Sequence, residues 1–309
     1  MLLSGNVEAQ KFTLASYNCE NAFDTLRDEG KNDLEYTPEG DRHWTRYRMY
    51  QKLKNIGKVI MSIDTQRPVD IICLEEVEND SVLTYLTQRT ALRAIGYDYV
   101  MTNSADVRGI DVAIVYSPMT FRLISHHPLR AETSTPTRDI LYACGQVMGG
   151  DTLHLFAVHL PSKLNGKESQ TNRRKVAEAI SHSADSIIQI HPHANIVVMG
   201  DFNDGIRSTL LRKQLSLFTN LMKGKEPGTY KYQGNWDVID HILVSPNLLN
   251  QHSRLSTDAT KARVVSHSFL LENDETYGGT KPFRTFSGYK YNGGYSDHLP
   301  VALELNVSK

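Results

Sequence analysis

The chain has 309 residues and a formal net charge of −1, with 40% apolar and 22% charged side chains. A chain of about this length buries roughly three-quarters of its unfolded surface, so a self-sufficient core is expected. The absence of a basic excess disfavours a tight, sequence-independent grip on duplex DNA, while a local basic cleft stays compatible with the composition.

Residues 1–10 read as an N-terminal extension. Val7-Glu8-Ala9 is similar to the small-residue end of a secretory signal, yet the basic and long apolar regions are missing. The stub of a leader ending before Gln10 and a frayed terminus are both open readings, so the compartment is open between cytoplasmic and exported. Residues 11–309 read as one domain, because helix, strand and turn alternate with no repeat, polar linker or low-complexity tract. No segment reaches the roughly 18 apolar residues of a membrane span. Cys19, Cys73 and Cys144 are far apart and offer neither a disulfide framework nor metal-ligand spacing.

Short apolar runs predict strands at 12–17, 71–74, 97–102, 112–116, 121–126, 141–147, 152–159, 196–199, 239–245 and 301–305. Helical spacing predicts a helix over Arg46–Ile63, with Tyr50, Leu53, Ile56, Ile60 and Ile63 on one face. A second covers 172–189 through Val176, Ala179, Ile180, Ala184, Ile187 and Ile188, and a weaker one covers 82–95. Residues 20–45 and 261–296 are rich in Gly, Asp, Asn, Thr and Tyr and read as long surface loops.

The most informative stretch is Val197-Val198-Met199-Gly200-Asp201-Phe202-Asn203-Asp204. A buried strand ends there by setting a carboxylate and a carboxamide on one side. Comparable polar clusters end other strands: Tyr17-Asn18-Cys19-Glu20-Asn21, Leu74-Glu75-Glu76, Arg108-Gly109-Ile110-Asp111, His159-Leu160-Pro161-Ser162-Lys163 and Ser296-Asp297-His298. Asp237-Val238-Ile239-Asp240-His241 opens one. Carboxylates, amides and histidines gathered on one rim suit metal-assisted phosphoryl transfer. Hard oxygen ligands hold Mg²⁺ or Mn²⁺, and an acid and a base handle the protons.

In these motifs and their order, from Asn18 to Pro300, the chain resembles the endonuclease/exonuclease/phosphatase superfamily of DNase I-like proteins. The resemblance implies an α/β fold: a four-layer α/β sandwich of two packed mixed β-sheets flanked by helices. It implies Asn18, Glu76 and Asp297 at the metal, with Glu75 the competing choice for the glutamate. Asp201 would orient the attacking water and Asn203 would hold phosphate. His159 would contact the scissile phosphate or protonate the leaving group. Asp240 would pair with His298, the general base or stabiliser of phosphate charge; such a pair fixes the imidazole's tautomer and raises its basicity.

Arg108 and Asp111 read equally as a structural ion pair or as a phosphate contact and a group orienting His159. Arg173 stands at a helix start, where a guanidinium fork suits phosphate and a solvated end is the plainer account. Arg284, with the tyrosines of 282–291, lines a substrate mouth or simply packs a loop. The expected activity is divalent-metal-dependent hydrolysis of phosphate esters, of phosphodiesterase or endonuclease type. Alternatives are a phosphomonoesterase, a lipid phosphodiesterase acting on sphingomyelin or inositol phosphates, and a decayed binding module. The expected partner is a phosphate-ester substrate, nucleic acid among the choices, with no protein partner implied.

Overall fold

The computed structural model describes residues 10–163 and 166–308. Most of the expected N-terminal extension, residues 1–9, lies outside the described residues. Gln10 itself is the first residue of strand β1 (Gln10–Ala22) and pairs with Val307.

Two mixed sheets hold the apolar runs. The first contains β1, β2 (Ile71–Val77), β3 (Asp98–Met101) and β4 (Asp111–Tyr116), with the last strand, Val301–Val307, beside β1. Its order is Val301–Val307, β1, β2, β4, β3, and the short strands Leu255–Ser256 and Ala262–Val264 lie against Val301–Val307. The second sheet runs β5 (Phe121–Leu129), β6 (Ile140–Val147), β7 (Thr152–His159), β8 (Asn195–Asp201), Asp240–Val244 and β9 (Thr219–Asn220). Pairs β1–β2 and β7–β8 are parallel and the remaining pairs in both sheets antiparallel.

Strands in parallel pairs are covered on both faces, which explains the unbroken apolar run of β8. Val197 and Met199 face the first sheet, whereas Ile196 and Val198 face the helix α3 (Gly166–Ile190). There they meet Val176, Ala177, Ile180 and Ala184 together with Phe156 and Val158 of β7. On the far side, α1 (Arg46–Ile63) buries Leu53, Ile56 and Ile60 against the first sheet and the helix α2 (Asp80–Arg89). Thr45 caps α1, accepting the Arg48 amide, and Asn79 caps α2, accepting the Val82 amide at 3.1 Å. The layers are helix, sheet, sheet, helix, which is the expected α/β sandwich. Each fully buried Leu or Ile contributes about 1.5–3 kcal/mol to holding them together.

Several local expectations change. Tyr50, placed on the apolar face of α1, is 40% exposed, whereas Lys52 is buried. The helix predicted over 82–95 stops at Arg89; extended Thr90 then starts a separate 3-10 turn, Ala91–Ala94. Helix α3 begins at Gly166, earlier than the apolar spacing indicates, because the side chains its first turns bury, Ser169, Asn172 and Arg173, are polar and carry no apolar signal. The stretch 261–296 is not plain loop. It holds Ala262–Val264 and two short hairpins, Leu271–Asn273 with Thr280–Pro282 and Phe286–Ser287 with Lys290–Tyr291.

Registers decide what meets at the strand ends. Asn18 is opposite Glu75, and Asp201 is flanked by His159 on one side and Asp240 on the other. Sheet packing then brings Asn18, from the first sheet, within 3.1 Å of Asp201 in the second.

Candidate active site

The strand ends surround a cleft of about 720 Å³ lined by Glu76, Arg108, His159, Asp201, Asn203, Asp297 and His298, among others. The backbone there is unusual. Among the described residues six non-glycine residues have positive φ, and three of them, Asn21, Glu76 and Asn203, line this cleft. Such conformations cost about 1–3 kcal/mol each and persist where the surroundings over-determine them. At Glu76 (φ 60°) the kink accompanies a register shift between Glu75 and Val77. It turns the Glu76 side chain to the cleft and leaves Glu75 fully buried.

His298 and Asp240 form the firmest contact. Nδ1 of His298 lies 2.9 and 3.2 Å from the two Asp240 oxygens, so the Asp240 carboxylate accepts from the ring. The other ring nitrogen, Nε2, is 3.9 Å from Asp201 Oδ2. Burial disfavours a charged ring, but the carboxylates of Asp240 and Asp201 outweigh it and hold the His298 pKa well above its ordinary value. His159 is the opposite case. Burial, followed by the nearby charges of Arg138, Arg108 and His298, drives its pKa well below the ordinary value, so its ring is neutral. Its Nε2 is 3.4 Å from Asp201 Oδ2, and its buried Nδ1 has no hydrogen-bond partner among the described residues.

Asp201 sits between the two rings. It accepts the Asn203 backbone amide at 2.7 Å and side-chain amides from Asn18 at 3.1 Å and Asn203 at 3.2 Å. Burial pushes its pKa up to about 7 against the pull of His298. One neutral and one cationic histidine around a carboxylate poised near neutrality are an arrangement suited to handling protons. Asp201, Asp240 and His298 also place ligand-capable atoms within 4.8 Å of one another. Within this triad His298 and Asp240 are hydrogen-bonded, while Asp201 stands 3.9 Å from the other ring nitrogen.

A divalent cation fits beside this triad. Glu76 Oε2 accepts the Asn21 amide at 3.0 Å, while Oε1 accepts no hydrogen bond among the described residues; Arg108 and His159 nitrogens are 3.9 Å away. Asp297 lines the same cleft, with its Oδ2 held at 3.0 Å by Arg284. Carboxylate oxygens of this kind are the donors Mg²⁺ or Mn²⁺ takes. Asn18 lies beneath the cleft surface. Its Oδ1 accepts the Glu20 amide and its Nδ2 donates to Asp201, so it braces the centre from below, where the sequence had set it at the metal.

Three further expectations are corrected by partners that the sequence does not reveal. Asp111 does not orient His159: its carboxylate accepts from the Thr102 hydroxyl at 2.5 Å and the Ser104 amide at 3.0 Å, facing another cleft. Arg173 is neither solvated nor on the cleft. It donates to the Pro161 and Ser162 carbonyls, 3.0 Å each, and thereby fixes the turn after His159. Arg284 donates to Glu20 at 3.1 Å and to Asp297, holding the rim in place of lining a mouth. Arg108 does face the cleft.

Sequence reasoning missed Arg138, which is buried and ties Asp106 (3.1 Å) to the Leu160 carbonyl (2.7 Å) beside His159. Nothing in its polar surroundings marks it. It also missed the hairpin Tyr230–Tyr232 with Asn235–Asp237, whose Tyr230, Tyr232, Asn235 and Asp237 wall the cleft. The two strands are joined at Gln233-Gly234, both residues at positive φ, as a two-residue hairpin turn requires. The Tyr230 ring lies 5.0 Å from that of His298.

The chain matches the model of the Endonuclease/Exonuclease/phosphatase family over residues 13–307 and belongs to that family. No curated protein matches it. Among solved structures it is similar to D. rerio TDP2 humanized by 14 mutations, at 18% identity and TM-score 0.61, with 96% of this chain and 99% of the other covered. It is similar also to a mannosyl-6-phosphatase of Bacteroides thetaiotaomicron VPI-5482: 17% identity, TM-score 0.60, coverage 95% and 99%. A Caenorhabditis elegans TDP2, truncated, gives 15% identity, TM-score 0.62 and coverage of 96% and 98%. At these identities the likeness concerns the fold.

Proposed function

We propose that this chain is a divalent-metal-dependent phosphodiesterase that cleaves its substrate by in-line attack of water. The observation that carries the reading is Asp201 held between a neutral His159 and a charged His298, with Glu76 Oε1 free on the same cleft. Asp201 orients the attacking water and takes its proton, for which a carboxyl poised near pH 7 is suited. His298, kept cationic by Asp240, stabilises charge on the phosphate oxygens, and neutral His159 donates a hydrogen bond to one of them. Asn203 and Arg108 position the phosphate. Glu76 and Asp297 hold the cation, which when bound neutralises charge on the phosphate and the departing oxygen.

A diester is favoured over a monoester by the shape of the site. The cleft adjoins a second of about 710 Å³ with which it shares Lys163 and Asp237, so groups fit on both sides of the phosphate. The test compares bis(p-nitrophenyl) phosphate with p-nitrophenyl phosphate, after EDTA treatment and with Mg²⁺ or Mn²⁺ restored. Metal-stimulated hydrolysis that prefers the diester is expected. A preference for the monoester would make the chain a phosphatase, and folded protein inactive with every divalent ion would overturn the reading.

A further inference from the structure

We infer that a second cation site, distinct from the catalytic cleft and selective for Ca²⁺, lies between the loop after β1 and the end of β2. Asp28, Asp33 and Glu78 each place a carboxylate oxygen there, all three within 4.8 Å of one another. Oxygens bound to one Ca²⁺ at about 2.4 Å can be at most about 4.8 Å apart, so the three match a single ion.

The carboxylates are held by the backbone and left open on one side. Glu78 Oε2 accepts the Asp24 amide at 2.6 Å and the Asn79 side chain at 3.2 Å, while Oε1 accepts nothing among the described residues. Asp33 Oδ2 accepts the Asp28 amide at 2.7 Å. Its other oxygen, Oδ1, is buried with no hydrogen-bond partner, on a side chain only 1% exposed. Leaving a buried carboxylate oxygen unsatisfied is costly, and a cation removes that cost. A fourth carboxylate, Asp24, borders the group and bonds to Asn79 at 3.1 Å.

Among the described residues no cationic side chain pairs directly with these carboxylates, and Lys31 acts on Asp28 only through space. Lys31, within the loop, donates instead to the carbonyls of Ser104 (3.0 Å) and Asp106 (2.9 Å). Among the described residues no ion pair includes Asp24, Asp28, Asp33 or Glu78, although Glu20 and Glu76 nearby have theirs. Asp28 and Glu78 border a cleft of about 420 Å³, which gives an ion access from solvent. A loop that supplies ligands from several positions can adapt to the larger, irregular shell of Ca²⁺; Mg²⁺ demands a near-ideal octahedron.

The test is calorimetric titration of CaCl₂ into the full chain stripped of metal by EDTA, with thermal unfolding followed in parallel. Wild type is expected to bind Ca²⁺ and to unfold at a higher temperature with it than with equal MgCl₂. In Asp33→Asn and in the more accessible Asp28→Asn the Ca²⁺ affinity is expected to fall at least about tenfold, the charge count being reduced. Glu76→Gln is expected to keep it. The Asp28→Asn arm decides even if Asp33→Asn folds poorly. The inference is overturned if wild type shows neither heat nor stabilisation with Ca²⁺. It is equally overturned if Asp28→Asn binds as wild type does, or if Glu76→Gln abolishes the effect.

Discussion

In the proposed mechanism Asp201, His298 and Asp240 act as one unit, in which the two carboxylates raise the His298 pKa and His298 opposes the rise at Asp201. With Asp201 ionising at about pH 7 by virtue of burial, the rate should rise with pH through an acid limb at or below that value. A cation bound nearby favours the carboxylate and moves the limb lower. A pH–rate profile of kcat with Mn²⁺ checks this; a rate showing no acid limb down to about pH 4 would remove Asp201 as the proton acceptor. Asp240→Asn removes the charge that keeps His298 cationic, and kcat is expected to fall about 10²–10⁴-fold with little change in KM. Glu75 makes a contrasting prediction. Burial raises the pKa of its carboxyl well above the ordinary carboxylate range, and Ser16 donates to Oε1 at 2.7 Å. Glu75→Gln should therefore change the urea midpoint little and leave metal activation intact. Asp201, Asn203 and His159 were legible because each follows an apolar run in a short polar cluster, and His298 because its cluster stands just before the terminal strand. Asp111, Arg173 and Arg284 were not, because neighbouring residues do not say which carbonyl or carboxylate a side chain will find across the fold.

At the scale of elements, α1 does more than cover the first sheet. Its buried Lys52 donates to the Thr285 hydroxyl at 2.6 Å and the Tyr295 carbonyl at 2.7 Å, and lies 3.8 Å from Glu20. Glu20 in turn accepts from Arg284, which holds Asp297. Lys52→Met leaves Glu20 buried with one counter-charge fewer, and a loss of about 3 kcal/mol is expected in urea unfolding. The same variant should weaken metal activation through Asp297; unchanged stability and activity would show that this chain of contacts is idle. Helical spacing revealed α1 and its apolar face but gave no sign that Lys52 is buried. Burial of a lysine depends on partners more than two hundred residues away, and no local pattern contains them.

For the molecule as a whole, the two sheets bring the ends of separated segments to one rim: Asn18 and Glu76 from the first, His159, Asp201 and Asp240 from the second. The strand runs and their polar ends were readable from the sequence, and the layered architecture followed from the family resemblance that those motifs carry. Lost to that reading were the short strands of 262–291 and the cleft-walling hairpin 230–237, whose two- and three-residue strands are too brief to show periodicity. The central claim is that Glu76 governs the cation while His298 governs the chemistry. Hydrolysis of bis(p-nitrophenyl) phosphate followed over a Mn²⁺ titration, with wild type, Glu76→Gln and His298→Ala side by side, separates those roles. Glu76→Gln is expected to need about tenfold or more Mn²⁺ for half-maximal rate. His298→Ala is expected to keep the wild-type midpoint and lose about 10²–10⁴-fold in maximal rate. Three superimposable curves would contradict the assignment of both residues.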